Sequence, residues 1–306
     1  MKPIRADLVM LLATMCLGSS YLFIKMGLGS IEEFNLNALR FGIAFLVTAV
    51  LFHRRLHSID KKTILYAALQ GFLLFAVVSL IAFGLKSTTT SNASFLVSLT
   101  VVFVPLISTI LFRKKLERKL LISIGLAITG IGFLTIEFPF EFAIGDLLCI
   151  AAAMSFAIHI LVVGFTSKQV DPLKLGILQL GFAGLFSFLF SLLFESPTLP
   201  STPQSWIAIL ALGLVCSAMG FILQTIAQKY TTPARIGIIF SFEPVFAAIL
   251  GYFFAQEIMS TSGYIGASLV MLSIIISTGV MNSPIQAVKR KLFRSESPKF
   301  TDHHAA

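Results

Sequence analysis

Apolar residues run along this chain in ten long blocks, at about 8–28, 36–52, 63–85, 91–112, 119–136, 145–165, 173–194, 206–227, 234–254 and 262–281. Most reach the ~17–25 residues that a helix needs to cross a bilayer. Polar residues crowd into the short stretches between the blocks. Asp171-Pro172, Ser196-Pro197 with Pro200 and Pro203, and Thr232-Pro233 stand where helix starts are expected before the seventh, eighth and ninth blocks. Ten-residue alternating segments, the mark of a membrane β-barrel, are absent. The pattern predicts an all-α membrane protein of ten transmembrane helices.

Composition agrees. Of 306 residues, 57% are hydrophobic and 12% charged, where a soluble domain has about a quarter of its residues charged. Mean hydropathy is +0.93. Lys2 and Arg5 precede the first block, but it is of spanning length and no small-residue cleavage site follows, so it is expected to stay as a helix. Cys16, Cys149 and Cys216 lie inside apolar blocks without CxxC spacing and read as packing residues, so no metal site or disulfide framework is expected.

The charges set an orientation. Lys2, Arg5, Arg54, Arg55, Lys61, Lys62, Arg113, Lys114, Lys115, Arg118, Lys119, Lys168, Lys174, Lys229, Arg235 and the tail residues Lys289, Arg290, Lys291, Arg294 and Lys299 occupy alternate connections. The other connections hold Glu32, Glu33, Glu137, Glu141, Asp146, Glu195 and Glu257, with Lys86 their one basic residue. By the positive-inside rule both termini are cytoplasmic, in a cytoplasmic (inner) membrane. The net charge of +9 is then accounted for by topology and calls for no nucleic-acid partner. From about residue 282 the tail is polar and basic, is expected to be disordered, and would rest on anionic lipid through residues 289–294.

The two halves match at an offset of about 139, where Ala6-Asp7-Leu8 meets Gly145-Asp146-Leu147, Met15 meets Met154 and Arg40 meets Gln179. Further on, Lys86-Ser87-Thr88-Thr89 meets Lys229-Tyr230-Thr231-Thr232, and the run from Ser98 to Phe103 meets that from Ser241 to Phe246. The chain therefore reads as two five-helix units, 1–141 and 142–281, with a tail, 282–306. Five is odd, so the second unit must enter the membrane upside down, giving an inverted repeat suited to alternating access.

Cys16 to Lys25, Asn37 to Phe41, Thr88 to Leu99 and Ser241 to Phe246, with the duplication, resemble the paired EamA domains of the drug/metabolite transporter superfamily over about residues 1–281. Leu17 stands where tryptophan is common, and Lys114 where the first repeat often has a Gly-Glu pair matching Gln256-Glu257. The resemblance implies a secondary-active or facilitative transporter, usually exporting amino acids or other metabolites. It also implies that helices 1, 3, 4, 6, 8 and 9 surround the pathway, with 5 and 10 at the periphery. A drug exporter working by proton antiport is the alternative. A channel or an intramembrane enzyme is less favoured, for want of a filter-like loop or paired catalytic groups. A homodimer stays open. No cofactor is expected, since there is no phosphate-binding loop.

Glu243 is the residue out of place. It falls near the middle of the ninth block, where an acid costs on the order of 3 kcal/mol to insert, so it must face a cavity or a partner. It is a candidate for proton coupling or for binding a substrate amine, against a structural reading in which it only bonds a neighbouring helix. Arg40 either snorkels to Glu32 or Glu33 or clamps a substrate carboxylate, the first being favoured here. His159 is a packing residue or a titrating site. Tyr21, Asn92, Ser98, Thr100, Ser155, Ser217 and Gln224 either line the pathway or join helices. Thr88, Thr89, Ser91, Thr231 and Thr232 read as helix caps, Pro105 and Pro244 as kinks that shape a cavity, and the 30 phenylalanines as packing and lipid-facing residues.

Reporter fusions after residues 58 and 285 are expected to read cytoplasmic and one after residue 140 external. An external reading after 285 would break the five-plus-five arrangement.

Overall fold

The computed structural model describes residues 3–57, 59–111, 118–135, 143–230, 236, 239–240 and 242–278. Arg113, Lys114, Lys115, Glu137, Glu141, Thr231, Thr232, Arg235, Ser241 and the tail fall outside them.

Among the described residues there are helices and no strands. They are α1 (Pro3–Gly27), α2 (Glu33–Leu51), α3 (Lys61–Gly84), α4 (Thr90–Val97), α5 (Thr100–Leu111), α6 (Arg118–Thr135), α7 (Ile144–Thr166), α8 (Pro172–Phe194) and α9 (Pro203–Leu210). A π-helix, Ala211–Phe221, continues α9 into α10 (Ile222–Tyr230); α11 (Glu243–Ala255) and α12 (Thr261–Thr278) complete the order. Seven helical stretches are long and apolar enough to cross a bilayer, and Leu121–Phe133, Glu243–Ala255 and Thr261–Ile276 are shorter apolar helices.

The starts obey local chemistry. The Asp171 carboxylate accepts from the amides of Leu173 and Lys174, and Pro172 fills a first-turn position where no N–H is required. Thr202 accepts from Ser205 N ahead of α9, again with a proline in the first turn. Thr89 accepts from Asn92 N at the start of α4. The other two hydroxyls expected as caps there are used differently: Thr88 donates to Asp146, and Ser91 donates to Glu257.

The fourth block is two helices, because it breaks at Ser98-Leu99 with three-residue turns linking Leu99 to Leu96 and Val101 to Ser98. Pro105 lies inside α5, beyond that break. In the ninth block α11 begins at Glu243, so Pro244 sits in its first turn rather than kinking a continuous helix. The interrupted stretches thus lie at matching places in the two sequence repeats.

Packing runs mostly between the halves. α2 packs on α8, α3 on α7 and α8, α1 on the π-helix, α10 and α11, α4 on α7 and α11, and α6 on α12. Each contact has a partner with the halves exchanged: α1 against the π-helix matches α7 against α3, and α1 against α11 matches α7 against α4 and α5. α6 and α12 form a pair of their own, tied by Ser273 donating to Ser123 O.

Backbones approach closely where side chains are absent. A Cβ on Gly71 would lie 2.8 Å from Gln179 O and 3.0 Å from Ala183 N, whereas one on Gly42 would meet nothing within 4 Å. Phe34, Phe72, Phe75, Phe83, Phe186, Phe190 and Phe194 stack in a chain of ring contacts among α2, α3 and α8.

Gly71→Ala is expected to lower thermal stability in detergent, at a cost of about 1–3 kcal/mol from overpacking. Gly42→Ala should not. Equal effects of the two would contradict the α3–α8 packing.

Candidate functional site

A buried polar pair joins α1 to α11. Gly18 lets α1 press against α11, since a Cβ there would lie 2.8 Å from Glu243 O and 3.1 Å from Phe246 Cβ. One turn further along, Tyr21 is carried to the start of α11, and its hydroxyl donates to Glu243 Oε1 at 2.9 Å. Both side chains are buried, Tyr21 at 1% and Glu243 at 7% exposure.

The pair borders a small cavity that also takes in Ser20, Arg40, Phe156 and Phe221, with valine and isoleucine walls from α3 and Val97 from α4. The space open to a water's centre is about 20 Å³, room for about one water molecule. Both halves contribute to its walls. The lining comes from α1, α2, α3, α4, α7, the π-helix and α11. Of the described phenylalanines, Phe156 and Phe221 border it.

Arg40 is 1% exposed and does not snorkel. The acids expected to meet it are engaged elsewhere: Glu33 pairs with Lys86, and Glu32 Oε2 accepts from Ser196 N at 3.3 Å. Arg40 Nε donates to Ser217 Oγ at 2.9 Å, its guanidinium carbon lies 4.8 Å from the centre of the Phe41 ring, and Nη1 has no partner. Among the described residues no carboxylate comes within 4.0 Å of it. Ser217 belongs to the π-helix, a rare winding frequent at functional sites. An uncompensated guanidinium beside a cavity costs stability and has donors to spare.

The remaining candidates lie elsewhere. His159 is buried against Phe156, and its Nε2 lies 3.3 Å from Gln179 Oε1, while Gln179 Nε2 donates to Thr225 Oγ1. That chain joins α7, α8 and α10. Ser98 returns its hydroxyl to Phe95 O, and Thr100 donates to Val97 O and Ala153 O, joining α5 to α7. Asn92 lines a small surface pocket with Glu257, Ser260 and Ser262. Ser155 is half-buried on α7. Gln224 is buried on α10 with no hydrogen-bond partner for either amide atom.

Two charged groups missed as site residues are Lys25 and Glu257, whose side chains pair at 3.0 Å. Burial would raise the Glu257 pKa, but hydrogen bonds from Thr90, Lys25 and Ser91 outweigh it and hold the carboxyl below its ordinary value. No group of three or more His, Cys, Asp or Glu able to hold a metal occurs among the described residues.

Because Arg40 is a buried charge without a counter-ion, Arg40→Met is expected to leave thermal stability unchanged or raise it, by up to about 4 kcal/mol. A clear drop in melting temperature would show instead that the guanidinium holds the bundle together.

The model of the EamA-like transporter family matches this chain twice, at residues 4–136 and 143–279. An uncharacterized transporter of Archaeoglobus fulgidus is 28% identical over 275 residues, covering 90% of this chain and 86% of its own. The uncharacterized transporter YetK of Bacillus subtilis is 28% identical over 294 residues, covering 90% and 87%. A solved crystal structure aligns with a TM-score of 0.67 at 20% identity, covering 96% of this chain and 99% of that one, which shows a shared fold. With apolar helices of spanning length and a family match over both halves, the chain is an integral membrane protein that belongs to the EamA-like transporter family.

Proposed function

We propose that this transporter carries amino acids or related small zwitterionic metabolites out of the cell, across the cytoplasmic membrane, by alternating access, as a secondary-active or facilitative carrier. The observation that carries this reading is the placing of Arg40 and the Tyr21–Glu243 pair on one small cavity. A guanidinium with a free Nη1 suits a carboxylate, and a carboxylate suits an ammonium, so the two together fit a zwitterion. The cavity as it stands has room for about one water, so a substrate would enter only when the halves move apart.

The exchanged contacts of the two halves support an inverted repeat, in which the two openings are alternative packings of one bundle. The matching interruptions at Ser98-Leu99 and ahead of Glu243 point the same way, since broken helices in corresponding positions border transporter binding sites. Thr100, the repeat counterpart of Glu243, is spent on carbonyls, which leaves one acid on the cavity. That lone acid favours a second reading, proton-coupled export of cationic compounds, in which a proton and the cargo alternate on Glu243.

Reconstituted liposomes separate the readings. Arg40→Lys keeps the charge but loses the fork, and apparent affinity for amino acids is expected to fall about tenfold, or about 1.4 kcal/mol. Decarboxylated amines should be little affected. Glu243→Gln should insert normally and lose either affinity for amine-bearing substrates or the pH dependence of net transport. If both variants match the parent in rate, affinity and pH profile, the cavity is not the binding site.

A further inference from the structure

Glu257 is aimed with unusual care for a residue in a surface connection. α11 ends at Ala255, and Gln256, which follows it, has φ of 54° and is the one non-glycine residue at positive φ among the described residues. Such a left-handed position is costly for a side chain other than glycine or asparagine and persists where surrounding structure demands it. Its effect is to fold the chain back, so that Glu257 N donates to Gly251 O. Gly251 makes room: a Cβ there would lie 3.0 Å from Glu257 Oε2 and 3.2 Å from Ser91 Oγ.

The carboxylate so placed serves two other helices at once. Oε1 accepts from Thr90 N at 2.9 Å and from Lys25 Nζ at 3.0 Å, while Oε2 accepts from Ser91 N and Ser91 Oγ, each at 3.1 Å. It thereby caps the exposed amides that open α4, where the helix dipole favours a negative charge, and holds the end of α1. The same three helices, α1, α4 and α11, contribute Tyr21, Val97 and Glu243 to the central cavity. Lys25 lies four residues beyond Tyr21 and Thr90 seven residues before Val97, about 6 Å and 10 Å along their helices. The knot sits over the cavity, on the side that the charge pattern predicts to face outward.

We propose that Glu257 is the latch of the outer gate: the way from the cavity to the outside opens only when its carboxylate leaves the start of α4 and Lys25. This rests on the alternating-access reading above. The latch joins the second half of the chain to the first, so no movement that parts α4 from α11 at this face can leave it intact. Lys114, the repeat counterpart of Glu257, is a cation and cannot do the same for the second half.

The test needs no substrate. In a background with Cys16, Cys149 and Cys216 replaced by alanine, Ser20→Cys places a thiol on the cavity, and a membrane-impermeant maleimide is applied to right-side-out and to inside-out vesicles. Glu257→Gln is expected to raise the outside labelling rate about tenfold, as a population shift toward the outward-open form. Lys25→Met, which removes one contact and leaves the cap, should raise it about threefold and takes over the test if the first variant fails to insert. Unchanged outside rates in both variants, with inside labelling intact, overturn the latch and leave the carrier reading standing. So does a lower melting temperature with unchanged rates, which would make Glu257 a helix cap alone. Labelling from neither side in any variant overturns the carrier reading itself, and the latch with it.

Discussion

The close approach of α1 to α11 at Gly18 is the constraint on which the centre of the molecule depends. In hydrocarbon a carboxyl group has no water to turn to, so Glu243 is tolerable only if a partner reaches it and apolar walls close around it. A single Cβ at position 18 would drive into the Glu243 carbonyl and carry Tyr21 away. The contact also crosses between the halves, so it joins the first family match to the second. The shape of the cavity and the placing of Lys25 both depend on where α1 lies on α11.

A second theme is how the acids of the predicted outer connections are used. Each one among the described residues is engaged: Glu195 accepts from the amides of Phe34 and Asn35 at the start of α2, Asp146 from Thr88, Glu33 pairs with Lys86, Glu32 takes Ser196 N, and Glu257 ties α4 to α1. Glu195 and Glu257 come from the second half and cap helices of the first. Helix ends at a membrane surface need such partners, because their first amides have none inside the helix. Glu32, Asp146, Glu195 and Glu257 thus also fasten the two halves to each other.

How much of this the sequence discloses depends on the range of the interaction. The helices were legible because a spanning length of apolar residues admits few other structures, and the starts at Asp171 and Thr89 because caps act within three residues. Glu243, Arg40 and Tyr21 were legible as polar groups inside apolar runs, and the structure brings them to one cavity. Their partners were not legible. Arg40 turns to Ser217, and Lys25 to Glu257, across 177 and 232 residues of chain, separations that no local pattern encodes. The expectation that Arg40 snorkels failed because Lys86 had already taken Glu33. The breaks at Ser98-Leu99 and before Glu243 were read as kinks at Pro105 and Pro244, since a proline says that a helix is disturbed nearby but not on which side. Nothing in the residue types signals the π-helix.

The exchange of contacts between the halves bears finally on how the protein is made. With α2 seated on α8, α3 on α7 and α8, and α6 on α12, the first half of the chain has little core of its own when it leaves the ribosome. Its helices can insert, each satisfying its own backbone, but Arg40 must wait in the lipid for a hydroxyl not yet synthesised. At ~5–20 residues per second, the second half takes roughly seven to thirty seconds to appear. During that interval the nascent half is held by hydrophobic insertion alone, and it is then most open to quality-control proteases of the membrane.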